Sequence, residues 1–465
     1  MQGCVLYPKY HRPDVEVPDN WRFSTDEAAT YANEQWWKQF NDPVLDCLID
    51  EALQNNNDLM VAIVRVRQFV GQLDIAQSGL YPQLNGTFNP YRQKNSLDVI
   101  SFPGTPQIYD LYTCLLNASY DIDIWGEIRS ASDAAKADLL GSVETRRTIV
   151  LTLVTGVAIS YIQLRQYDEQ LKISQDTYRS RQESYKLAVD RYLGGLTSEL
   201  EAKQEEAEMD EALVQVLQYR LNIAEQEDLL SVLIGHPPQS IERGLGIFAF
   251  TLPPQIPTGL PSDILEQRPD ILKAEQDLIS ANADIGVARA QFFPSFNLTG
   301  FYGNQSLELR NFFTGLATTW QYALNVLQPL FTGWKLTGQL EVAESQKWQA
   351  YYAYQQTVLN AFQEVNDALI QHQLSKELLL TQTRRVDALT IALHLAQLQY
   401  DNGQVDYLNV LDAQRNLFVS QLDMAQAQSF IFLSLVNIYK ALGGGWVIDA
   451  DRQALHLETA ISDCQ

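Results

Sequence analysis

The residue types that most often carry out catalysis form no catalytic motif in this 465-residue chain. It lacks a His-Glu-x-x-His zinc motif, a nucleophile elbow around a serine and a glycine-rich phosphate loop. The five histidines are scattered, at His11, His236, His372, His394 and His456. We therefore expect no enzyme and no cofactor, and we interpret His372 as a packed helix residue instead of a ligand.

Asp121 and Asp123 are the nearest approach to an acid/base pair. They continue a polar series through Asn117 and Ser119 that alternates with apolar residues. Residues two apart share one face of a strand, and each unpaired charge on a dry face costs several kcal/mol. We therefore predict that both aspartates line water.

The four cysteines lack the spacing of a metal site. Cys47 and Cys464 would pair only if the termini meet, and nothing in their spacing requires it. Cys4 follows Gly3, with no secretory signal segment before it in this sequence. The Gly-Cys pair is either the remnant of a bacterial lipobox, whose cysteine is acylated, or an ordinary start. An acyl chain would anchor the protein without spanning the membrane.

The chain is acidic, with 57 Asp and Glu against 33 Lys and Arg. Nucleic-acid phosphates require a basic surface. We therefore expect no nucleic-acid partner.

Two pairs of segments have the two-residue period of strands. The predicted strands and the loops between them are residues 83–89 and 116–124 with loop 92–111, then 296–302 and 320–326 with loop 303–316. Their apolar face either packs on a helix of the same chain or meets lipid, since strands of about ten residues span a bilayer. Four strands cannot close a barrel. The chain then associates with copies of itself, or the strands form an ordinary half-buried sheet.

The longest pattern is a seven-residue apolar repeat, which is typical of coiled coils. It runs from Tyr351 to Tyr400, interrupted only at His372, and turns at Asn402-Gly403. It continues outward through Leu411, Phe418, Ala425, Phe432 and Tyr439.

The same hairpin occurs 208 residues earlier. Its ingoing series runs from Val143 to Tyr192, its turn contains Gly195, and its outgoing series is Leu200, Ala207, Val214 and Leu221. A spacing held over this length indicates internal duplication. The ingoing helices, 126–192 and 334–400, are each predicted at about 67 residues, or roughly 100 Å.

The remaining segments are less regular. Residues 14–45 are predicted as an irregular arm, and 43–80 as one helix that ends before Pro82. The apolar run 149–164 is too short, and too often interrupted by polar residues, to favour a membrane helix.

Taken together, these features resemble the TolC/OprM-type outer-membrane efflux ducts over nearly the whole chain. The resemblance rests on the order and spacing of short segments, each weak alone: Cys4 before Pro8-Lys9-Tyr10-His11-Arg12-Pro13, Trp36-Trp37-Lys38-Gln39-Phe40, Asp42-Pro43, Asp123-Ile124-Trp125-Gly126, Arg268-Pro269-Asp270-Ile271, Ala288-Arg289-Ala290, Phe293-Pro294, Pro329-Leu330-Phe331, and Tyr407-Leu408-Asn409-Val410-Leu411-Asp412-Ala413-Gln414-Arg415.

The resemblance implies a mainly α fold with a membrane β-barrel portion. Three subunits would close a twelve-stranded barrel, four strands from each, continuous with a tunnel of long helices in the periplasm. The implied divisions are an anchored arm 1–42, a first repeat 43–235, a linker 236–262, a second repeat 263–443 and a tail 444–465. It also implies acylation at Cys4, although Met1 and Gln2 stand where a longer signal is expected. We interpret the chain as a mature form with a start methionine, or as an engineered start.

Function in this family is passage. The resemblance implies a periplasmic gate at Leu408, Asp412 and Arg415. The placement is physically consistent, since residues three and four apart share a helix face and threefold symmetry would turn each into a ring. Asn409 stands where some relatives carry another aspartate. Tyr400 and Glu201 occupy latch positions, and the turns at Gly195 and Gly403 are where the family meets an adaptor. The competing interpretation is that all of these are solvated tip residues.

We therefore expect the outer-membrane exit duct of a tripartite pump, a passive homotrimer working with a periplasmic adaptor and an inner-membrane pump of the RND type. It would export drugs, toxic small molecules or metal ions. The alternatives are a type I secretion duct for proteins and a soluble coiled-coil scaffold. The acylated start and the Arg268-Pro269-Asp270 segment resemble the efflux branch.

Overall fold

A computed structural model describes residues 5–18, 21–22, 35–96, 107–251, 261–443 and 446–462. They are mostly helical, with one small antiparallel sheet. The elements in order are a 3₁₀ helix Trp36–Phe40, α1 Pro43–Asn55, α2 Asn57–Ser78, β1 Gln83–Lys94, β2 Ile108–Asp121, α3 Glu127–Leu193, α4 Glu199–Leu233, α5 Ile264–Gln267, α6 Pro269–Ala290, β3 Ser295–Ser306, two 3₁₀ turns Leu309–Asn311 and Gly315–Ala317, β4 Thr318–Leu327, α7 Lys335–Asp401, α8 Tyr407–Leu442 and α9 Trp446–Ser462.

These elements divide into two compact units. The strand unit takes in Met1–Asp14, Arg65–Val143 and Lys273–Gln355, and the helical unit takes in Val15–Val64, Glu144–Leu272 and Gln356–Gln465. Each unit therefore draws on both sequence repeats. A division at the repeat boundaries remains a prediction.

The sheet of the strand unit has the order β1-β2-β3-β4, with every neighbouring pair antiparallel. Its register aligns the predicted faces across all four strands. One apolar row is Gly86, Leu116, Tyr302 and Trp320, and one polar row across β2, β3 and β4 is Asp121, Asn297 and Asn325. The predicted alternation is confirmed, and β1 and β3 run several residues further into the predicted loops.

Within the described part of the chain, the apolar face of this sheet is exposed. Leu84 is 65% exposed, Trp320 64% and Tyr322 78%. Packing on a helix of the same chain was one of the two predicted explanations for that face, and the exposed side chains exclude it for these residues.

The prediction that Asp121 and Asp123 lie on one strand face is wrong for Asp123. Asp121 is the last residue of β2 and lies beside Asn297, whose side-chain amide donates to it at 2.5 Å. Asp123 lies beyond the strand end. Its carboxylate accepts from the backbone of Ile128 and Arg129, at 3.2 and 3.1 Å, and pairs with the Arg129 side chain at 2.9 Å. These contacts satisfy free N–H groups in the first turn of α3, so Asp123 has a capping role.

Both long helices match their prediction. α3 and α7 contain 67 residues each and begin within one residue of the predicted positions. All five positions of the α8 series are buried, and the α7 series is buried from Val358 to His372. The seven-residue period therefore located the packed face of these helices.

The series predicted for α4 is wrong. Leu200, Val214 and Leu221 are more than half exposed. The packed face instead follows alternating steps of three and four residues, as a coiled-coil seam requires. Buried residues that follow this spacing are Ala202, Glu205, Ala212, Val216, Ile223, Gln226 and Leu230. Small and polar residues occupy this seam, so apolar periodicity alone pointed to the opposite face.

The helix predicted over 43–80 is two helices. Asn56 breaks it: its side-chain oxygen accepts from the Leu59 N–H at 3.0 Å and its amide donates to the Leu233 carbonyl at 3.0 Å. Asn56 thus caps α2 and joins it to the end of α4.

Aromatic residues from distant segments form the core of the helical unit. Trp36, Trp37 and Trp446 are almost fully buried, and Trp36 stacks on Tyr439 with ring centroids 5.2 Å apart. The predicted irregular arm therefore contributes a 3₁₀ helix to the core. The tail, for which the sequence suggested no regular structure, forms α9.

The apolar run of α3 belongs to this core. Among the described residues, α3 alone among single helices is apolar and long enough to cross a membrane, with a mean hydropathy of 1.5 over its best window. Val150, Val154, Val157 and Tyr161 within it are fully buried. This burial agrees with a core helix, as predicted.

A buried carboxylate joins three segments of the helical unit. Asp42 is fully buried and accepts from the backbone of Val44, at the start of α1, at 2.9 Å. It also accepts from the Tyr161 hydroxyl and the Leu245 N–H, both at 3.0 Å. A buried acceptor with several donors stabilises the packing of the segments that supply them.

Candidate functional site

The two hairpin turns of the helical unit have the same geometry. At the first, Leu196 N–H donates to the Arg191 carbonyl at 2.8 Å, and Gly195 has φ 71°. At the second, Gln404 N–H donates to the Gln399 carbonyl at 2.9 Å, and Gly403 has φ 67°. This six-to-one bond with a left-handed glycine is the Schellman motif. The structure thus forms both predicted turns at the predicted glycines.

The predicted latch residues are in contact. The Tyr400 hydroxyl, at the end of α7, donates to Glu201 Oε1 of α4 at 3.0 Å. Arg191 approaches the same hydroxyl at 3.5 Å, and the Thr197 hydroxyl donates to the other Glu201 oxygen. Burial, followed by the hydrogen bond to Glu201 and the Glu201 charge, raises the pKa of Tyr400. The second hairpin is therefore tied to the first by a charge-assisted bond.

The predicted gate residues lie on α8. Leu408 is 54% exposed, and the Asp412 and Arg415 side chains lie 3.6 Å apart at the closest charged atoms. Arg415 also donates to Glu208 of α4 at 2.5 Å. The structure therefore adds Glu208, which the sequence did not indicate, as the partner that orients Arg415.

Behind Arg415 lies a group of three charged residues, Glu208 and two more that the sequence did not indicate. Arg181 of α3 and the α4 residues Glu205 and Glu208 are all buried. Arg181 donates to the Glu208 carbonyl at 2.6 Å and lies over the Phe418 ring of α8 at 5.1 Å. The signal that could have found them is the three-residue spacing of the two glutamates in phase with the α4 seam.

His372 is a packed residue of α7, as interpreted from the sequence. It is 4% exposed, and its Nδ1 lies 2.9 Å from the Ser434 hydroxyl of α8. Burial lowers its pKa to about 4, so the imidazole is neutral at pH 7.

No group of three or more His, Cys, Asp or Glu side chains able to hold a metal occurs in the described ranges. Cys4 and Cys464 lie outside the described residues, while Cys47 is exposed and forms no disulfide with a described cysteine. Acylation of Cys4 and pairing of Cys47 with Cys464 therefore stay predictions.

The tip geometry and the exposed sheet agree with the comparisons to known proteins. The family model described as outer membrane efflux protein matches residues 48–236 and 260–444. The chain belongs to this family.

Individual relatives match along their full length. The chain is 35% identical over 452 residues to the toluene efflux pump outer membrane protein TtgC of Pseudomonas putida, covering 96% of this chain and 93% of TtgC. It is 32% identical over 460 residues to SilC of Salmonella typhimurium, a probable outer membrane lipoprotein, covering 96% and 97%. The solved CmeC outer membrane channel of Campylobacter jejuni superposes with a TM-score of 0.90 at 26% identity, covering 97% and 99%.

The resemblance inferred from the short segments is therefore confirmed, and the chain is an efflux protein of the bacterial outer membrane. The interpretation as a soluble coiled-coil scaffold is excluded. Family members act as channels, in agreement with the lack of a catalytic motif.

Proposed function

We propose that three copies of this chain form the passive exit duct of a tripartite efflux pump. The single observation that carries the proposal is the sheet: its apolar side chains are exposed, and its edge strands β1 and β4 each pair with one strand only among the described residues. Lipid cannot satisfy the backbone groups of an open edge. Further copies would supply the missing neighbours and close a twelve-stranded barrel.

The tip of the helical unit supports a closed resting gate. Leu408 and Asp412 stand one helical turn apart on α8, and threefold symmetry would repeat each as a ring, one apolar and one acidic. The Tyr400 to Glu201 bond and the Arg415 to Glu208 pair hold the second hairpin against α4. Opening would break both contacts, driven by a periplasmic adaptor at the Gly195 and Gly403 turns.

The passengers we propose are small toxic compounds selected by an inner-membrane pump of the RND type. TtgC, which is similar along nearly its whole length, is named for toluene efflux. A duct open to water at the Asp121 face needs no binding site of its own, because the pump performs the selection. Nothing in the fold favours the protein-secretion alternative.

The N-terminal segment supports acylation at Cys4. Within the strand unit, residues 6–12 run antiparallel to α6, contacting it at Glu275, Asn282 and Arg289, each seven residues apart. Tyr10 donates to Glu275 at 3.0 Å, Asn282 donates to the Pro8 carbonyl at 2.8 Å, and Arg289 donates to the Leu6 carbonyl at 3.4 Å. Because α6 leads into β3, the segment approaches the sheet as it approaches Cys4. An acyl chain there would enter the membrane that surrounds the sheet.

We expect the Cys4→Ser variant, exported with a lipoprotein signal, to lose incorporation of a clickable palmitate analogue. The exposed thiols Cys47 and Cys114 offer matched controls, and their serine variants should keep the label. Label remaining on Cys4→Ser, or lost from the Cys47 variant, would contradict the assignment.

The duct itself is tested on purified, detergent-extracted protein. We expect the mass of three chains, a threefold ring in electron-microscope class averages and single-channel currents in planar bilayers. A monomer that remains soluble without detergent would refute the proposal.

A further inference from the structure

One carboxylate occupies the seam of α4 that packs inside the first hairpin. Glu205 stands three residues after Ala202 and seven before Ala212, in phase with the buried positions of that helix. Its side chain is 0% exposed, and neither of its carboxylate oxygens has a hydrogen-bond partner. A charged residue in a coiled-coil seam costs stability and is retained where it gives specificity or a switch.

The surroundings of Glu205 are also incompletely satisfied. Five buried side-chain atoms in this part of the described chain lack a hydrogen-bond partner: Arg181 Nη2, both Glu205 oxygens, Glu208 Oε2 and Gln414 Oε1. Glu208 Oε2 lies 3.1 Å from Arg181 Nη1 without the alignment of a hydrogen bond. Arg181, Phe418 and Gln414 line a cavity of about 320 Å³ between α3, α7 and α8. Four of the five atoms are acceptor oxygens and one is a donor nitrogen, so the unsatisfied acceptors of the cluster outnumber its donors.

Charge explains how the cluster is tolerated. Burial raises the pKa of the Glu205 carboxyl to about 7, Arg181 opposes that shift, and Glu208 and Glu201 add to it. Burial also lowers the pKa of Arg181, against the carboxylates of Glu208, Glu205 and Glu211 and together with the Arg415 cation of α8. When Glu205 is protonated it carries no charge and does not compete for the Arg181 cation. Arg181 then interacts with Glu208 and the Phe418 ring.

We propose that Glu205 is a proton-linked brake on the separation of α8 from the α3 and α4 hairpin. It holds a proton while the helices are packed and releases it to water when α8 withdraws Arg415 and Phe418 and water enters the seam. Glu205 thus acts through Arg181 and Glu208, and it is a positioning residue for the gate arginine.

The direction of the pH dependence follows from linkage. The packed state binds the proton more tightly, with a pKa of about 7 against 4.5 for an ordinary glutamate. The extra stability that the Glu205 proton gives the packed state is fully present below pH 4.5, declines between pH 4.5 and 7, and is absent above pH 7. Opening therefore becomes easier as the pH rises. Between pH 5.5 and 8.0 the two values give a change of about thirtyfold in the opening equilibrium.

Hydrogen exchange of the detergent-extracted protein tests this without reference to conduction. We expect the protection of peptides covering residues 199–212, corrected for intrinsic exchange rates, to fall about thirtyfold from pH 5.5 to 8.0. Glu205→Gln keeps the shape but cannot ionise, so its protection should be independent of pH. Glu206→Gln is the matched control, since Glu206 is a neighbouring surface residue paired with Lys203, and it should behave as the unchanged protein.

Bilayer recording adds the functional consequence, which rests on the proposed duct. Open probability should rise with pH in the unchanged protein and in Glu206→Gln, and stay constant in Glu205→Gln. Flat protection in the unchanged protein, or a slope that persists in Glu205→Gln, would overturn the role of Glu205. If no channel forms at any pH, the proposed duct function is refuted. The pH dependence of hydrogen exchange still decides the role of Glu205. Should Glu205→Gln fail to fold, Glu205→Met provides the same uncharged comparison.

Discussion

Replacing Asp412 and Arg415 together with alanine should raise single-channel conductance several-fold. Asp412 and Arg415 are paired at 3.6 Å, and Arg415 is held to Glu208 at 2.5 Å. The double change would remove the acidic ring of the proposed trimer and the ion pair that joins α8 to α4, so the proposed closed gate would lose both its charge barrier and a contact that holds it shut. The measurement is conductance of the reconstituted protein in planar bilayers at one salt concentration.

A matched pair controls for the loss of charge. Asp449 and Arg452 on α9 have the same three-residue spacing, at 3.3 Å, and are similarly exposed. Asp449→Ala with Arg452→Ala should leave conductance unchanged. Equal conductance in the gate double variant and the unchanged protein would remove the gate assignment of Asp412 and Arg415.

The second large effect concerns stability. Asp451→Ala should lower the free energy of unfolding by about 3–5 kcal/mol, because it leaves the buried Arg146 cation without its carboxylate partner. Arg146 of α3 donates two bonds of 2.7 Å to the Asp451 carboxylate of α9, and the two side chains are only 8% and 4% exposed. Arg147 lies 3.7 Å from the same carboxylate. The variant would remove the carboxylate of α9 that contacts both arginines, and α9 should detach from α3.

Thermal unfolding in detergent, followed by tryptophan fluorescence, measures this loss, since Trp446 of α9 lies in the aromatic core. Faster hydrogen exchange of residues 446–455 should accompany it. Asp449→Ala on the same helix should change stability by less than about 0.5 kcal/mol, because its ion pair is exposed. Similar melting of the two variants would show that the buried pair contributes no more than an exposed one.

The sequence predicted the extent of the long helices correctly, but it misplaced the packed face of α4. The period of α8 was readable because Leu411, Phe418 and Phe432 are large and buried. On α4 the packed positions include Ala202, Glu205 and Gln226, while Leu200 and Leu221 face outward. The assumption that apolar residues are buried fails on α4, because this helix has a second apolar face that is exposed in the single chain. Such a face is expected where other copies of the chain pack.

The site was predictable only in part. Tyr400 and Glu201 are 199 residues apart, so spacing could not join them, and their pairing came from the family resemblance. Arg181, Glu205 and Glu208 were missed because charges within a long helix are normally solvated. Asp123 was misplaced because alternation continues past the end of β2 into the capping segment. Local pattern does not report where a strand stops pairing.

The open edges of the sheet also have a genetic consequence. A copy with an altered tip still carries intact β1 and β4 edges, so it competes equally for places in the barrel of the proposed trimer. When altered and intact genes are expressed in equal amounts, only about one channel in eight would be built wholly of intact chains. Gate variants of this protein should therefore be dominant, whereas variants that spoil a strand edge should be recessive.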